Sequence, residues 1–334
     1  MSSSLPITPA ADPVPRAVAG FFAVQGASVA LWWPILYLVP RARELFRMSP
    51  GPDDVLLSFM LPDLAVLAPA SLLGALLLAR RDDRAAAILW CAAGAILYAV
   101  LFCLAFALRT DAGWLGVALM LPCALLSASC AAAVTPGFLG MLRPARPAPA
   151  GWNTAKTFAQ MAVFWGVLLF LVPALIQSLQ DRVGVPSFAA PGLRVIAAIL
   201  FAACGGVGVW SAVVMAREGR GTPLPLDAPR EMVVTGPYAF VRNPMAMSSL
   251  GQGAAVALYL GSPLVFVYVA IGAWMWQYLA RPVEEHDLLR TFGAQYEAYR
   301  SAVRCWLPNA HRYSIDPLTD QQAGRVCPPT PYEA

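Results

Sequence analysis

Along most of the chain, polar positions are confined to short gaps between long apolar runs. The runs Ala17–Val39, Val55–Ala79, Ala85–Leu108, Trp114–Leu139, Phe158–Leu179 and Leu193–Ala216 are each mostly apolar. Each meets the roughly 20 residues that a helix needs to cross the hydrocarbon core. The stretch from Met245 to Leu279 is too long for one ordinary span, and Gly261, Ser262 and Pro263 stand at its middle. Gly-Ser-Pro is a turn signal, so this stretch predicts two short helices closing a hairpin. The pattern therefore predicts an all-α fold, a polytopic integral membrane helical bundle of about eight transmembrane helices that includes a C-terminal helical hairpin. Beyond the hairpin the period changes. Leu288, Leu289, Phe292, Tyr296, Tyr299 and Val303 recur at helical spacing among charged residues, which predicts an amphipathic helix capping the hairpin. Pro282 suits its first turn.

Composition agrees with the pattern. Hydrophobic residues make up 59% of the 334 residues and charged residues 13%, against roughly 45–50% and 25% in soluble domains. The first 15 residues are Ser- and Pro-rich without a basic region, so no cleavable signal peptide is expected. A net charge of +4 suits a membrane protein and argues against a nucleic-acid partner. None of the seven Cys forms a C-x-x-C pair and only His286 and His311 are present, so neither a metal site nor a disulfide framework is expected.

Basic residues set an expected orientation. The N-terminus, residues 80–84, 140–157 and 217–244 and the tail after 280 carry 17 Lys and Arg, against six on the alternate loops. The richer side is expected to be cytoplasmic, although Arg41, Arg43 and Arg47 lie on the other.

The chain reads as three parts. Residues 1–148 form an N-terminal four-helix membrane region of no evident chemistry, ending in the Pro- and Arg-rich run 143–153. Residues 149–308 form a domain that carries every polar motif, and residues 309–334 form a flexible tail. No internal repeat is visible, which weakens a transporter built from inverted halves. Within the first region Asp63 follows Pro62 inside an apolar run, and it reads as a first-turn residue of a helix that starts near the interface.

The candidate chemistry lies in the second region. In loop 217–244, Gly236-Pro237-Tyr238 is a stiff re-entry toward the membrane, and Arg242 follows at the mouth of the hairpin. Taken alone, Arg242 reads as an interfacial arginine facing lipid phosphates, and it could equally hold an anionic group. Glu284, Glu285 and Asp287 in the first turn of the last helix could serve only the helix dipole. They could also bind ribose hydroxyls or a cation beside a membrane-facing cleft.

Taken in order, these pieces carry a resemblance. Gly-Arg-Gly-Thr-Pro at 219–223, Gly-Pro-Tyr-x-x-x-Arg-Asn-Pro-Met at 236–245, Glu-Glu-x-x-Leu at 284–288, Phe-Gly-x-x-Tyr-x-x-Tyr at 292–299 and Trp306-Leu307-Pro308 resemble the isoprenylcysteine carboxyl methyltransferase-like family. That superfamily also holds phospholipid N-methyltransferases and thiol methyltransferases, and the likeness runs over about residues 155–308. It implies an S-adenosylmethionine-dependent methyltransferase whose cofactor is bordered by Pro237, Tyr238, Arg242, Asn243 and Pro244, with Glu284 and Glu285 on the other side. Arg242 and Asn243 are the catalytic candidates it implies. Gly206 and Gly208 are candidates for a Gly-x-Gly that recurs in the phospholipid branch, while glycines on a membrane helix also serve close packing. Two positions depart from the family: Asn243 stands where many relatives have His, and Ala246 where Tyr is frequent. The implied partners are membrane lipid and a lipophilic or small carboxylate, thiol or amine acceptor. The oligomeric state, the acceptor and the role of the first four helices stay open. An NADPH-dependent reductase of the sterol-reductase type shares similar C-terminal elements, but a 2'-phosphate favours basic groups over the pair Glu284-Glu285. A non-catalytic transporter or subunit is the remaining alternative.

Overall fold

The computed structural model describes residues 13–48, 54–135, 150–219 and 231–314. The motif 219–223, apart from Gly219, lies outside the described residues, as do most of the Pro-rich run 143–153 and the tail after Ser314. Helix accounts for 82% of the structure, and no strand occurs among the described residues. Among these residues seven helices are long and apolar enough to cross a membrane. The first four are α1 (Pro13–Leu38), α2 (Val55–Ala79), α3 (Ala85–Thr110) and α4 (Trp114–Ala133). They are followed by α5 (Gly151–Arg182), α6 (Pro191–Glu218) and the continuous helical run Pro263–Ala302.

The expected hairpin is present. Its arms are α7 (Pro244–Leu260) and α8 (Pro263–Met275), and α9 (Arg281–Ala302) follows after a short π-helical turn, Trp276–Ala280. With 17 residues, α7 is about 26 Å long at 1.5 Å per residue, short of the roughly 30 Å hydrocarbon core. By length α7 thus falls just outside the seven, and with α8 it forms the C-terminal hairpin of the expected bundle of about eight helices. The hairpin turn depends on Gly261, whose φ of +62° few other residues adopt and whose missing side chain leaves room for the backbone of Ala189. Ser262 then caps α8 by accepting from the Val265 amide at 3.2 Å.

Two compact units make up the chain, Met1–Phe138 with Gln277–Pro282, and Leu139–Trp276 with Val283–Ala334. In the first unit α1, α2, α3 and α4 pack on one another in sequence. Its interior holds a closed polar triad. Gln25 on α1 donates from Nε2 to Ser71 Oγ on α2 at 3.2 Å, and its Oε1 accepts from Ser127 Oγ on α4 at 2.8 Å. In a medium without water such groups must satisfy one another. Asp63 is placed differently from the expectation. The helical path of α2 runs through Pro62 rather than starting there, so Asp63 lies inside a span, and its carboxylate accepts from Trp33 Nε1 at 3.1 Å.

Three π-helical turns, Asp63–Leu67, Gly166–Leu171 and Trp276–Ala280, each end two residues before a proline: Pro69, Pro173 and Pro282. Proline has no N–H for the carbonyl four residues back and its ring crowds that carbonyl, so the preceding turn widens. In the second of these turns the Tyr268 hydroxyl on α8 donates to the Leu168 carbonyl at 3.1 Å.

In the second unit α6 and α7 form the main helix pair, with α5 packed on α6. Small residues line the seam, including Gly205, Gly208, Ser211 and Ala212 on α6 and Ser248 and Gly251 on α7. Small side chains let backbones approach closely where no hydrophobic force drives helices together. Opposite the hairpin turn, Gln180 closes a second polar cluster: its Oε1 accepts from Ser262 Oγ at 2.5 Å and its Nε2 donates to Ser187 Oγ at 3.0 Å.

Candidate active site

The segment Glu231–Asn243 enters the second unit as a buried loop. Val233, Val234, Tyr238, Ala239 and Val241 are all buried, and Gly236–Ala239 form one turn of 3-10 helix. Gly236 has φ +55°, and a β-carbon there would stand 2.9 Å from Val214 and 3.3 Å from the Trp210 indole nitrogen, so the entry requires glycine. The apolar stripe expected on the last helix packs against this loop. Tyr296, Tyr299 and Val303 cluster with Val234, and Leu288, Leu289 and Phe292 lie against them. Helix α9 breaks at Gly293, where φ is 51° and ψ is −126°.

Backbone bonds clasp the loop to the chain that follows α9. The Arg242 amide donates to the Arg304 carbonyl at 3.0 Å, the Asn309 amide to Phe240 at 2.7 Å, and the Tyr313 amide to Ala239 at 2.9 Å. The Tyr299 hydroxyl donates to the Tyr238 carbonyl at 2.7 Å. Burial pushes the Tyr238 phenol above the ordinary tyrosine range, and the nearby charge of Glu284 adds to it, so the ring stays neutral at every physiological pH.

These contacts fix Arg242 and Asn243. The Arg242 guanidinium donates from Nη1 to Glu285 Oε1 at 3.0 Å, and the two side chains are 11% and 13% exposed. The ion pair joins the loop to the first turn of α9 across 43 residues of sequence. Arg242 Nε is buried and makes no hydrogen bond. Asn243 precedes α7 but does not cap it; its amide turns to Cys305 Sγ at 3.6 Å. The first turn of α7 thus keeps its amides free of a side-chain cap, with the positive end of the helix beside Arg242. Pro237 and Pro244 are buried on the same loop and at the start of α7, and Glu284 is exposed on the first turn of α9.

The structure sets Pro237, Tyr238, Arg242, Asn243 and Pro244 along one loop and helix start, pairs Arg242 with Glu285, and leaves Glu284 near enough for its charge to act on Tyr238. It does not bring Gly206 and Gly208 to one place. A β-carbon on Gly208 would meet Ser248 Oγ at 2.5 Å, whereas Gly206 faces nothing within 4 Å. Residues two apart on a helix point to different faces, so this Gly-x-Gly is divided between the α7 seam and a second face. Sequence reasoning did not find Cys305, Asn309 and Tyr313. None stands in a motif, and only tertiary hydrogen bonding gives them a part. Trp306 packs edge-on to Trp276 with ring centroids 4.9 Å apart.

Fold and site together describe a polytopic membrane protein with a charged, partly buried locus where a loop, a helix start and an amphipathic helix meet. A family model described as phospholipid methyltransferase matches residues 193–295. This stretch is just under a third of the chain and takes in nearly all of α6, the loop, the hairpin and about two thirds of α9. It supports a membrane methyltransferase, in the superfamily that also contains the isoprenylcysteine carboxyl methyltransferases. No curated protein and no solved structure matches the chain.

Proposed function

We propose that this chain is an S-adenosylmethionine-dependent methyltransferase of the membrane, acting on a lipophilic or small carboxylate, thiol or amine acceptor. The observation that carries the reading is the Arg242–Glu285 pair beside the uncapped start of α7, within the stretch that resembles phospholipid methyltransferases. The residues fit the zwitterionic end of the cofactor. Arg242 has a buried Nε without a partner, suited to a carboxylate. The first-turn amides of α7 add positive potential for the same group. Glu285, with Glu284 next to it, would face the ammonium or the ribose hydroxyls. Bound there, the cofactor would supply an activated methyl group on a sulfonium.

The work of the chain is then alignment and water exclusion, which can remove several kcal/mol of barrier by proximity alone. Tyr238, Val241 and the α9 apolar face would keep the locus dry. Asn243, held by Cys305, offers an uncharged amide where many relatives have a ring base. It can orient an acceptor but cannot take its proton at neutral pH. We also propose that the loop and α9 face the cytoplasm, from the bias of basic residues. Neither the reductase nor the transporter reading gains support.

Thermal unfolding of the purified protein with each cofactor tests the reading. S-adenosylmethionine is expected to raise Tm and NADPH to leave it unchanged, with the response to S-adenosylmethionine lost in Arg242→Ala and Glu285→Ala. A response to NADPH, or equal responses in the variants, contradicts it.

A further inference from the structure

Among the described residues three glutamines are buried within helices, Gln25, Gln180 and Gln252. The first two have both amide atoms engaged by neighbours. Gln252 differs: it is 0% exposed, and neither its Oε1 nor its Nε2 has a hydrogen-bond partner. It lies eight residues into α7, on the same face as Ser248 and toward α6. A β-carbon on Gly205 would stand 3.2 Å from Gln252 Nε2, and the edge of Trp165 on α5 is 3.9 Å from both the Gly205 and Gly208 positions. Ser248, one turn nearer the loop, spends its hydroxyl on the Cys204 carbonyl at 2.5 Å. The amide therefore lies over the bare backbone of Gly205, with the Trp165 indole beside that glycine. Thr157 on α5, 1% exposed, likewise has no partner for its hydroxyl.

An unpaired amide in a lipid-embedded seam is costly, because neither water nor lipid tails can satisfy it. A methionine of similar shape would pack there without that cost, so the polar group has to be accounted for by something it binds. We propose that Gln252 receives a polar group of the methyl acceptor, reached where the α6–α7 seam sets the Gln252 amide against the bare backbone of Gly205. This inference rests on the methyltransferase reading of the site.

It also defines the acceptor. Gln252 stands eight residues beyond Pro244, about 12 Å along the helix axis at 1.5 Å per residue. An acceptor that reacts beside Arg242 and Asn243 and also reaches Gln252 is elongated and membrane-dissolved. It carries a second, uncharged hydrogen-bonding group, such as an ester, amide or hydroxyl, about 12 Å from the methylated atom. A short thiol or small carboxylate cannot span that distance. Gln252 is a positioning residue, because the methylated atom lies elsewhere.

The test uses the full chain in its native membranes with methyl-labelled S-adenosylmethionine, the lipid, protein and water-soluble fractions being counted separately. Cofactor binding to the purified protein is titrated in parallel. Label is expected in the lipid fraction. Gln252→Met is expected to raise Tm, to leave the cofactor Kd within about twofold, and to cut transfer at limiting acceptor by about tenfold, the worth of one buried hydrogen bond. Gly205→Ala, which crowds the Gln252 amide and keeps it, is expected to cut transfer without raising Tm. Unchanged lipid labelling in both variants overturns the proposal. So does a weakened cofactor Kd in Gln252→Met, which assigns the amide to the cofactor, and so does label confined to the water-soluble fraction. Failure of the intact protein to bind S-adenosylmethionine is seen in the titration alone, and removes the site reading together with this one.

Discussion

Gln25 in the first unit and Gln252 in the second are both buried glutamines on membrane helices, and they are treated in opposite ways. Gln25 is closed on both sides by Ser71 and Ser127, so that α1, α2 and α4 share one saturated polar node. Gln252 is left without a hydrogen-bond partner beside Gly205. The contrast extends to charge. Asp63 in the first unit accepts from Trp33, whereas Arg242 in the second, although paired with Glu285, keeps a buried donor unspent. Polar groups that saturate one another within lipid are scaffold, and polar groups left open there are expected to meet a ligand. On that reasoning we propose that the Gln25 node serves as scaffold and that the chemistry lies in the segment between α6 and α9.

The largest effect is expected at the ion pair. Glu285→Ala leaves the Arg242 charge partly buried without its partner, so a loss of stability of about 3 kcal/mol is expected, together with loss of detectable cofactor binding by calorimetry. An alanine variant that binds the cofactor normally would place the ligand elsewhere. In the first unit Gln25→Leu is expected to cost about 1 to 2 kcal/mol by thermal or denaturant unfolding, because Ser71 and Ser127 lose their shared partner. The cofactor Kd should not move. A change in Kd would mean that the first unit is more than a frame.

Gln252→Met should shift stability the other way, by about 1 kcal/mol upward, since it removes an unsatisfied amide rather than a bond. Equal losses at Gln25 and Gln252 would erase the distinction between them. The smallest effect is expected from Tyr299→Phe, which removes one bond to the Tyr238 carbonyl and should cost somewhat under 1 kcal/mol. Because this bond belongs to the clasp that holds Arg242, a modest rise in the cofactor Kd should accompany the loss.

Much of this was legible along the chain, and for identifiable reasons. Span lengths follow from runs of apolar residues, and the hairpin turn follows from Gly261, whose conformation few other residues adopt. The face of α9 that packs on the loop, from Leu288 to Val303, could be read from its helical period, because amphipathic spacing is a local property. The pairing of Arg242 with Glu285 was not legible. The two are 43 residues apart, and each alone reads as an interfacial charge or a dipole partner. Asn309, Tyr313 and Cys305 carry no local signal, since their parts depend on where the chain returns after α9. The pair Gly206 and Gly208 has a motif-like spacing in sequence, and the helix sets its two members on different faces. Asp63 was misread as the start of a helix because Pro62 is a common first-turn residue. Here the helix continues through Pro62, and a π-helical turn follows ahead of Pro69.

The central claim is methyl transfer from a locus built on Arg242, Asn243 and Glu285. Its most direct test is incorporation of labelled methyl from S-adenosylmethionine into membranes that contain the protein, with the Glu284→Ala/Glu285→Ala double variant alongside. Label is expected with the intact chain and background with the variant. Equal label in both, or none with the intact chain across lipid, protein and volatile fractions, would contradict it.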